Sequence, residues 1–441
     1  MSDFAMPAPT SILRRRPAGF ALVEMMIATA ILLGLVVGIY GLLDSSTRIA
    51  KQETLVAEAQ QSVRAGIQEL VRIVRQARAG QLYYGNAILP VANNIAGGQS
   101  IADLSGSPHY IRRGTDVLRV RGVLFGDEYA LTAGDVTCSG SCDGTSLMTV
   151  TIRATANSGV VNFASGALPS LASKTRPFYF VVADATNQTV TVGSTIYLVP
   201  LYYVGRVEAS STWYTRTATT FSFAMNPQDP GARSLNASAS GSPALQKPFL
   251  CGAVDDVLLF LDEGRVDATG SAADTHPVLS AARFDPGSGR FDIDPLVGEA
   301  EDFQVAYGID GIDGSTPDRG ISPAAVDTSG INRDEWVGNV ATEIETSLTV
   351  SGSGPAQVSG FLDRSVASGP PNPSLATPAL RSIWLSLLVK SADPDLKFAG
   401  PGAMGIRTLD STVVSFSDSS STGRPYRRRL QSFAVAMRNY Q

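Results

Sequence analysis

A few places in the 441-residue chain carry side chains whose type and spacing suit chemistry. In "CSGSC", Cys138 and Cys142 stand four residues apart. An oxidising compartment can close such a loop into a disulfide; otherwise the two remain free thiols, since spacing does not set the geometry a disulfide needs. Cys251 is the third cysteine. In "YGIDGIDGSTPDRG", Asp310, Asp313 and Asp318 offer hard carboxylate oxygens of the kind calcium takes. The pattern departs from D-x-D-x-D-G and has no glutamate at the twelfth place, so a plain turn between strands competes with a calcium loop. The two histidines, His109 in "SPHY" and His276 in "DTHPV", stand in turn-like contexts. Arg424, Arg427, Arg428 and Arg429 form a basic cluster. It suits an anionic glycan or DNA, but a net charge of −5 works against a broad phosphate-binding surface, and arginines before a strand also pair with acids of their own fold. No GxSxG elbow, Walker A loop or HExxH occurs, so the chain reads as no enzyme, with no cofactor beyond the calcium option.

The most unusual charge is Glu24, alone in the apolar run from Phe20 to Leu43. As a helix those 24 residues would span about 36 Å, enough to cross a bilayer. An acid at a bilayer centre costs roughly 2.5–3.5 kcal/mol even on lenient scales, so it asks for a reason. Arg14, Arg15 and Arg16 precede the run, and the positive-inside rule keeps residues 1–19 in the cytoplasm and exports the chain beyond Leu43. A secretory signal peptide shares these features, but no A-x-A site closes the run. The pattern instead continues as a helix: Val56, Ala59, Val63, Ile67, Leu70, Val74 and Ala77 recur in steps of three and four, one stripe on one face. A single helix from Phe20 to about Ala79 is expected, its half at 20–43 in lipid and its amphipathic half at 44–79 against a folded domain. A short coiled coil is the alternative for the second half. Gly34 and Gly38 form GxxxG, which permits close helix approach in lipid, and with Gly41 they also suit local melting of the helix.

Gly19-Phe20 after a basic leader, with Glu24 at the fifth place of the apolar run, resembles the class III signal of type IV prepilins and type II secretion pseudopilins. That resemblance implies cleavage after Gly19 by prepilin peptidase, methylation of the new Phe20 amine, and a filament-assembly role for Glu24, whose carboxylate would pair with the N-terminal amine of a neighbouring subunit. Four further segments, "GTDVLRVRG", "AEDFQVAYGID", "RSIWLSLLVKSADPD" and "RRRLQSFAVAMRN", resemble in order and spacing the PilW type of minor pilin. The family implies a subunit that joins other minor pilins and the major pilin in priming or capping the pilus. It implies residence in the inner membrane with the head in the periplasm, then an extracellular place at the pilus tip, and no specific nucleic acid. A tip-displayed adhesin and a type II secretion pseudopilin are the rival functions.

Beyond Ala79 the period changes to that of strands, expected at 116–125, 147–154, 177–184, 194–207, 220–225, 256–262, 302–309, 343–351, 382–390, 411–418 and 430–439. The fold class is therefore α+β: a long N-terminal helix and a large, mainly antiparallel, pilin-like β head. Composition divides the head into a β-rich region at 80–225, a linker or long loop at 226–248, and a second β-rich region at 249–441 with a loop insertion at 351–378, hence two β lobes.

Mass spectrometry of the protein isolated from cells with active prepilin peptidase is expected to find a mature N-terminus at methylated Phe20. An uncut chain, or one cut elsewhere, overturns the resemblance.

Overall fold

The computed structural model describes residues 22–77, 88–92, 99–132, 134–154, 163, 165–192, 195–210, 212–230, 232, 244–263, 276–310, 336–337, 379–391, 406–407, 413–414 and 428–436. Helix α1 (Leu22–Gln76) comes first. After it come strands β1 (Ile88–Ala92), β2 (Ser100–Ala102), β3 (Pro108–Tyr110), β4 (Val117–Gly122), β5 (Glu128–Ala130), β6 (Val136–Cys138) and β7 (Met148–Arg153). A long hairpin, β8 (Phe178–Val192) and β9 (Thr195–Val207), precedes a short one, β10 (Tyr214–Arg216) and β11 (Thr220–Met225). Next are β12 (Pro248–Asp262), β13 (Val278–Asp285), β14 (Arg290–Gly298) and β15 (Ala300–Asp310). The last are β16 (Trp336–Val337), β17 (Ala379–Lys390), β18 (Ile406–Arg407), β19 (Val413–Val414) and β20 (Arg428–Ala436). A long apolar N-terminal helix followed by mostly antiparallel sheet makes the chain α+β.

The chain separates into two compact units, one up to Leu55 and one from Val56 to Gln441. In the second unit the largest sheet runs β1-β4-β12-β13-β14, with β5, β8 and β9 joined to it through β12. Two four-stranded sheets, β10-β11-β7-β6 and β16-β15-β17-β20, accompany it. Strand β12 is the common member. Its first half pairs with β8 and β5, and its second half with β4 and β13, so it is bonded to strands from both sides of residues 226–248.

The stripe expected on the helix packs as a stripe. Ala59, Val63, Ile67, Leu70, Val74 and Ala77 are buried, together with Leu55, Gly66 and Ile73, whereas Val56 is half-buried. From Val63 on, its apolar side chains share one core with Leu118 and Val120 of β4, Val257 and Leu259 of β12, Phe303 and Val305 of β15, and Leu385 and Leu387 of β17. This part of the helix therefore lies on two sheets at once, with polar side chains such as Arg64 and Gln68 left exposed. A second core fills the space beneath β10-β11-β7-β6, where Phe180 and Phe223 meet edge to face with ring centres 4.8 Å apart.

Most expected strands lie where β-branched and aromatic residues placed them, although β8 continues to Val192 and β12 begins at Pro248. The hairpin of β13 and β14 was not expected. Ala281 and Ala282 are poor strand formers, and Pro295 removes a donor; both are tolerated because β13 is buried and β14 is an edge of its sheet. His109 belongs to strand β3 rather than to a turn, because Ile101 pairs with it across the β2–β3 hairpin. The expected strand at 343–351, the loop insertion at 351–378 and the leader at 1–19 lie outside the described residues.

Gly66 marks the tightest approach of helix to sheet. A Cβ there would lie 2.0 Å from Cγ2 of Val297 and 3.6 Å from Cδ2 of Leu387. Alanine improves helix propensity by about 1 kcal/mol, but overpacking a core costs about 1–3 kcal/mol, and a 2.0 Å contact cannot be relieved without moving Val297. Gly66→Ala is therefore expected to lower stability in denaturant titration, and Val297→Ala in the same chain to recover part of the loss. A Gly66→Ala variant more stable than wild type would contradict this crossing.

Candidate functional site

The segment of α1 up to Leu43 differs physically from the stripe. Large apolar side chains are exposed around the whole helix, among them Leu22 at 77 %, Met25 at 65 %, Leu33 at 65 % and Leu42 at 72 %. A helix apolar on all faces has no side to offer water. By length and composition this one can cross a membrane. Thr29 satisfies its hydroxyl locally, donating to the carbonyl of Met25 at 2.7 Å, as an apolar solvent would require. Glu24 is exposed in the first turn of the described helix, where a carboxylate also favours the helix dipole. A Cβ at Gly34, Gly38 or Gly41 would meet nothing within 4 Å, so no packing among the described residues explains these glycines. Gly19 and Phe20 lie outside the described residues.

In the second unit a polar clamp holds the last turns of α1. Arg72 pairs with Glu69, its Nη1 donates to the carbonyl of Leu124 at 3.2 Å, and its guanidinium lies 5.1 Å from the centre of the Phe125 ring. Arg283 approaches the same ring at 4.5 Å. The Arg72 hydrogen bond holds the Glu69 carboxyl below its usual range, against the opposing effect of burial.

The remaining singled-out residues that the structure describes do not converge. Cys138 and Cys142 are joined as a disulfide, with Cα atoms 5.4 Å apart. Cys251 is free and buried on β12, and burial pushes its thiol well above the ordinary value. Asp310 ends β15, while Asp313 and Asp318 lie outside the described residues; among the described residues no three metal-ligating side chains gather. His109 Nδ1 is 2.6 Å from Asp262 Oδ2, with Asp103 Oδ2 at 3.5 Å from Nε2. His276 pairs with Glu299. Of the basic cluster, Arg428 forms a two-point pair with Glu301, through Nε at 2.5 Å and Nη2 at 3.2 Å, and Arg429 is exposed; Arg424 and Arg427 lie outside the described residues.

Sequence reasoning missed the buried charges of the sheets. Arg119, fully buried, donates through Nε to Asp256 Oδ1 at 2.6 Å, and Arg121 Nε lies 3.2 Å from Asp256 Oδ2. Burial pushes Asp256 up, but the two guanidinium groups outweigh it and leave the carboxyl below its ordinary value. Around β15, Asp116 accepts from the N–H of Val305 at 2.7 Å, while Gln304 Nε2 bridges the carbonyl of Gly114 and Asp302 Oδ1, each at 2.9 Å. The signal was present in "DVLRVRG" and "AEDFQVAYG": polar residues at alternate places in apolar strands, Arg119 and Arg121 in one and Asp302 and Gln304 in the other, a pattern that ordinarily marks a solvent face. No protein-family model, curated protein or solved structure matches the chain.

Burial pushes Asp302 from an ordinary 3.8 to about 6, with Gln304 and the charge of Arg112 opposing the shift and Glu301 adding to it. Below about 3.8 the carboxyl is protonated both folded and unfolded; between 3.8 and 6 only the folded chain keeps the proton. The contribution of this group to stability therefore falls as pH rises through that window and stays low above it. Asp302→Asn keeps the acceptor for Gln304 and is expected to raise the melting temperature at roughly pH 8 while changing it little at roughly pH 4. An equal shift at both values, or none, contradicts the assignment.

Proposed function

We propose that the chain is a minor pilin of the type IV pilus, of the PilW type, that primes or caps filament assembly. The observation that carries the reading is one continuous helix with two kinds of surface. It is apolar on every face up to Leu43, with Glu24 as its lone acid, and striped from Ala59 to Ala77, where it forms the core of a β head. This is what a subunit needs if it waits in a bilayer and then packs its helix among others. Gly19-Phe20, the basic leader and the order of the four family-like segments support the same assignment.

In this reading prepilin peptidase cuts after Gly19 and Phe20 is methylated. The subunit diffuses in the inner membrane, held with its head in the periplasm by Arg14 to Arg16 on the cytoplasmic side. On entry to the filament the Glu24 carboxylate docks against the N-terminal amine of a neighbour. Removing a carboxylate from water costs several kcal/mol, and pairing with an amine offsets it, so the charge selects a register between subunits that purely apolar helices would not define. The head, with about 360 residues after Ala79, is bulky beside the single helix that joins the lattice, which suits a tip position better than the shaft. The head is a structural and interaction module, and no step is catalytic.

Glu24→Ala is expected to leave processing and membrane insertion intact and to lower the amount of the protein in sheared pili by about tenfold, the scale of one lost charge-assisted contact. Incorporation equal to wild type would remove the assembly role of Glu24. Labelled protein is expected at filament ends; dense labelling along the shaft would overturn the minor-pilin reading.

A further inference from the structure

Strand β12 carries two consecutive acids in different circumstances. Asp256 has its charge matched by Arg119 and Arg121. Asp255 is also buried, yet its Oδ2 accepts only from the N–H groups of Leu124 at 3.1 Å and Phe125 at 3.0 Å. The described residues give its Oδ1 no hydrogen-bond partner and its charge no salt bridge. A buried carboxylate left so is costly, and burial indeed pushes Asp255 above its ordinary value, with Lys174 and Arg283 only partly opposing it.

Asp255 lines an open cavity of about 360 Å³, near the small end of ligand pockets, which run from about 300 to 1,000 Å³. Lys174 lines the same cavity. Among the described residues Lys174 has no carboxylate within ion-pair distance; its Nζ lies 6.0 Å from the centre of the Phe178 ring. The other cations of the lining are engaged, Arg176 with Asp292 at 3.9 Å and Arg283 with Asp294. Asp285 of the lining accepts from the N–H of Gly287 at 3.0 Å and the hydroxyl of Ser288 at 2.8 Å. Among the described residues the cavity thus presents one acid with an unpartnered oxygen, Asp255, and one base without a carboxylate, Lys174, with Phe178 and Phe284 supplying apolar wall.

We propose that this cavity binds a small zwitterion of the α-amino-acid type, its ammonium donating to Oδ1 of Asp255 and its carboxylate accepting from Lys174. A simple cation would satisfy Asp255 but face Lys174 and Arg283, and a simple anion would do the reverse. A ligand carrying both charges satisfies both residues at once. The inference concerns the head alone and stands apart from the assembly reading.

Saturation-transfer NMR on the full-length protein in detergent micelles, with the L-amino acids added one at a time, tests it. At least one is expected to bind saturably, with acetate and methylammonium at least about tenfold weaker, the scale of a lost charge-assisted contact. Asp255→Asn and Lys174→Met are each expected to weaken that binding by about tenfold or more. Their melting temperatures without ligand should stay at or, for Asp255→Asn, above the wild-type value, which separates lost binding from lost fold. Absence of binding by every amino acid, single-charge probes that bind as well, or either variant binding like wild type would overturn the proposal.

Discussion

The contact on which the head depends is the close approach of α1 to two sheets at Gly66. Val63, Ile67, Leu70 and Val74 fill one core with residues of β4, β12, β15 and β17, so a single helical stripe closes both sheets. Only glycine allows the axis to come that near, because a side chain at position 66 would occupy the place of Val297. Burial of each large aliphatic side chain is worth about 1.5–3 kcal/mol, and that sum lets a stripe override the modest propensities of the exposed side of the helix. The polar clamp of Arg72 with Glu69, Leu124 and Phe125 then sets where the last turns end.

Along the same helix two solvents make opposite demands. From Ala59 onward apolar residues are segregated to one face, since the other face meets water. Up to Leu43 they surround the helix, which is stable only where the surroundings are apolar throughout. In such surroundings a carboxylate such as that of Glu24 is costly unless it is paired. The same logic, charge made specific by a dry environment, recurs in the head. On β12, Asp256 stands directly opposite Arg121 of β4 and diagonal to Arg119. A slip of one residue in that pairing would separate the acid from both bases and turn Leu118 and Val120 away from the helix, so the buried charges and the apolar stripe specify one register together.

The helix and most strands were legible because their residues repeat with the period of the element: Val63, Ile67, Leu70 and Val74 at helical steps, and runs such as "TFSFAM" matching β11 residue for residue. Where the period is masked, reading failed. Ala281, Ala282 and Pro295 hide the β13–β14 hairpin, and Pro248 and Gly252 make the start of β12 look like loop. The burial of Arg119 and Arg121 was not legible either, because alternation reports that two faces differ, not which medium each one meets.

The sequence by itself determined the α+β class, the long apolar helix with Glu24 as its only acid up to Leu43, and the stripe from Ala59 to Ala77, because periodicity and hydropathy are local properties. Only the tertiary structure decided that β12 joins strands from both sides of residues 226–248, that Gly66 is a point of contact, and that Asp255 and Lys174 share a cavity. Each of these depends on which distant segments are brought together, and pairing between strands more than a hundred residues apart, such as β4 and β12, is settled by the packing of the whole core rather than by any stretch of chain alone.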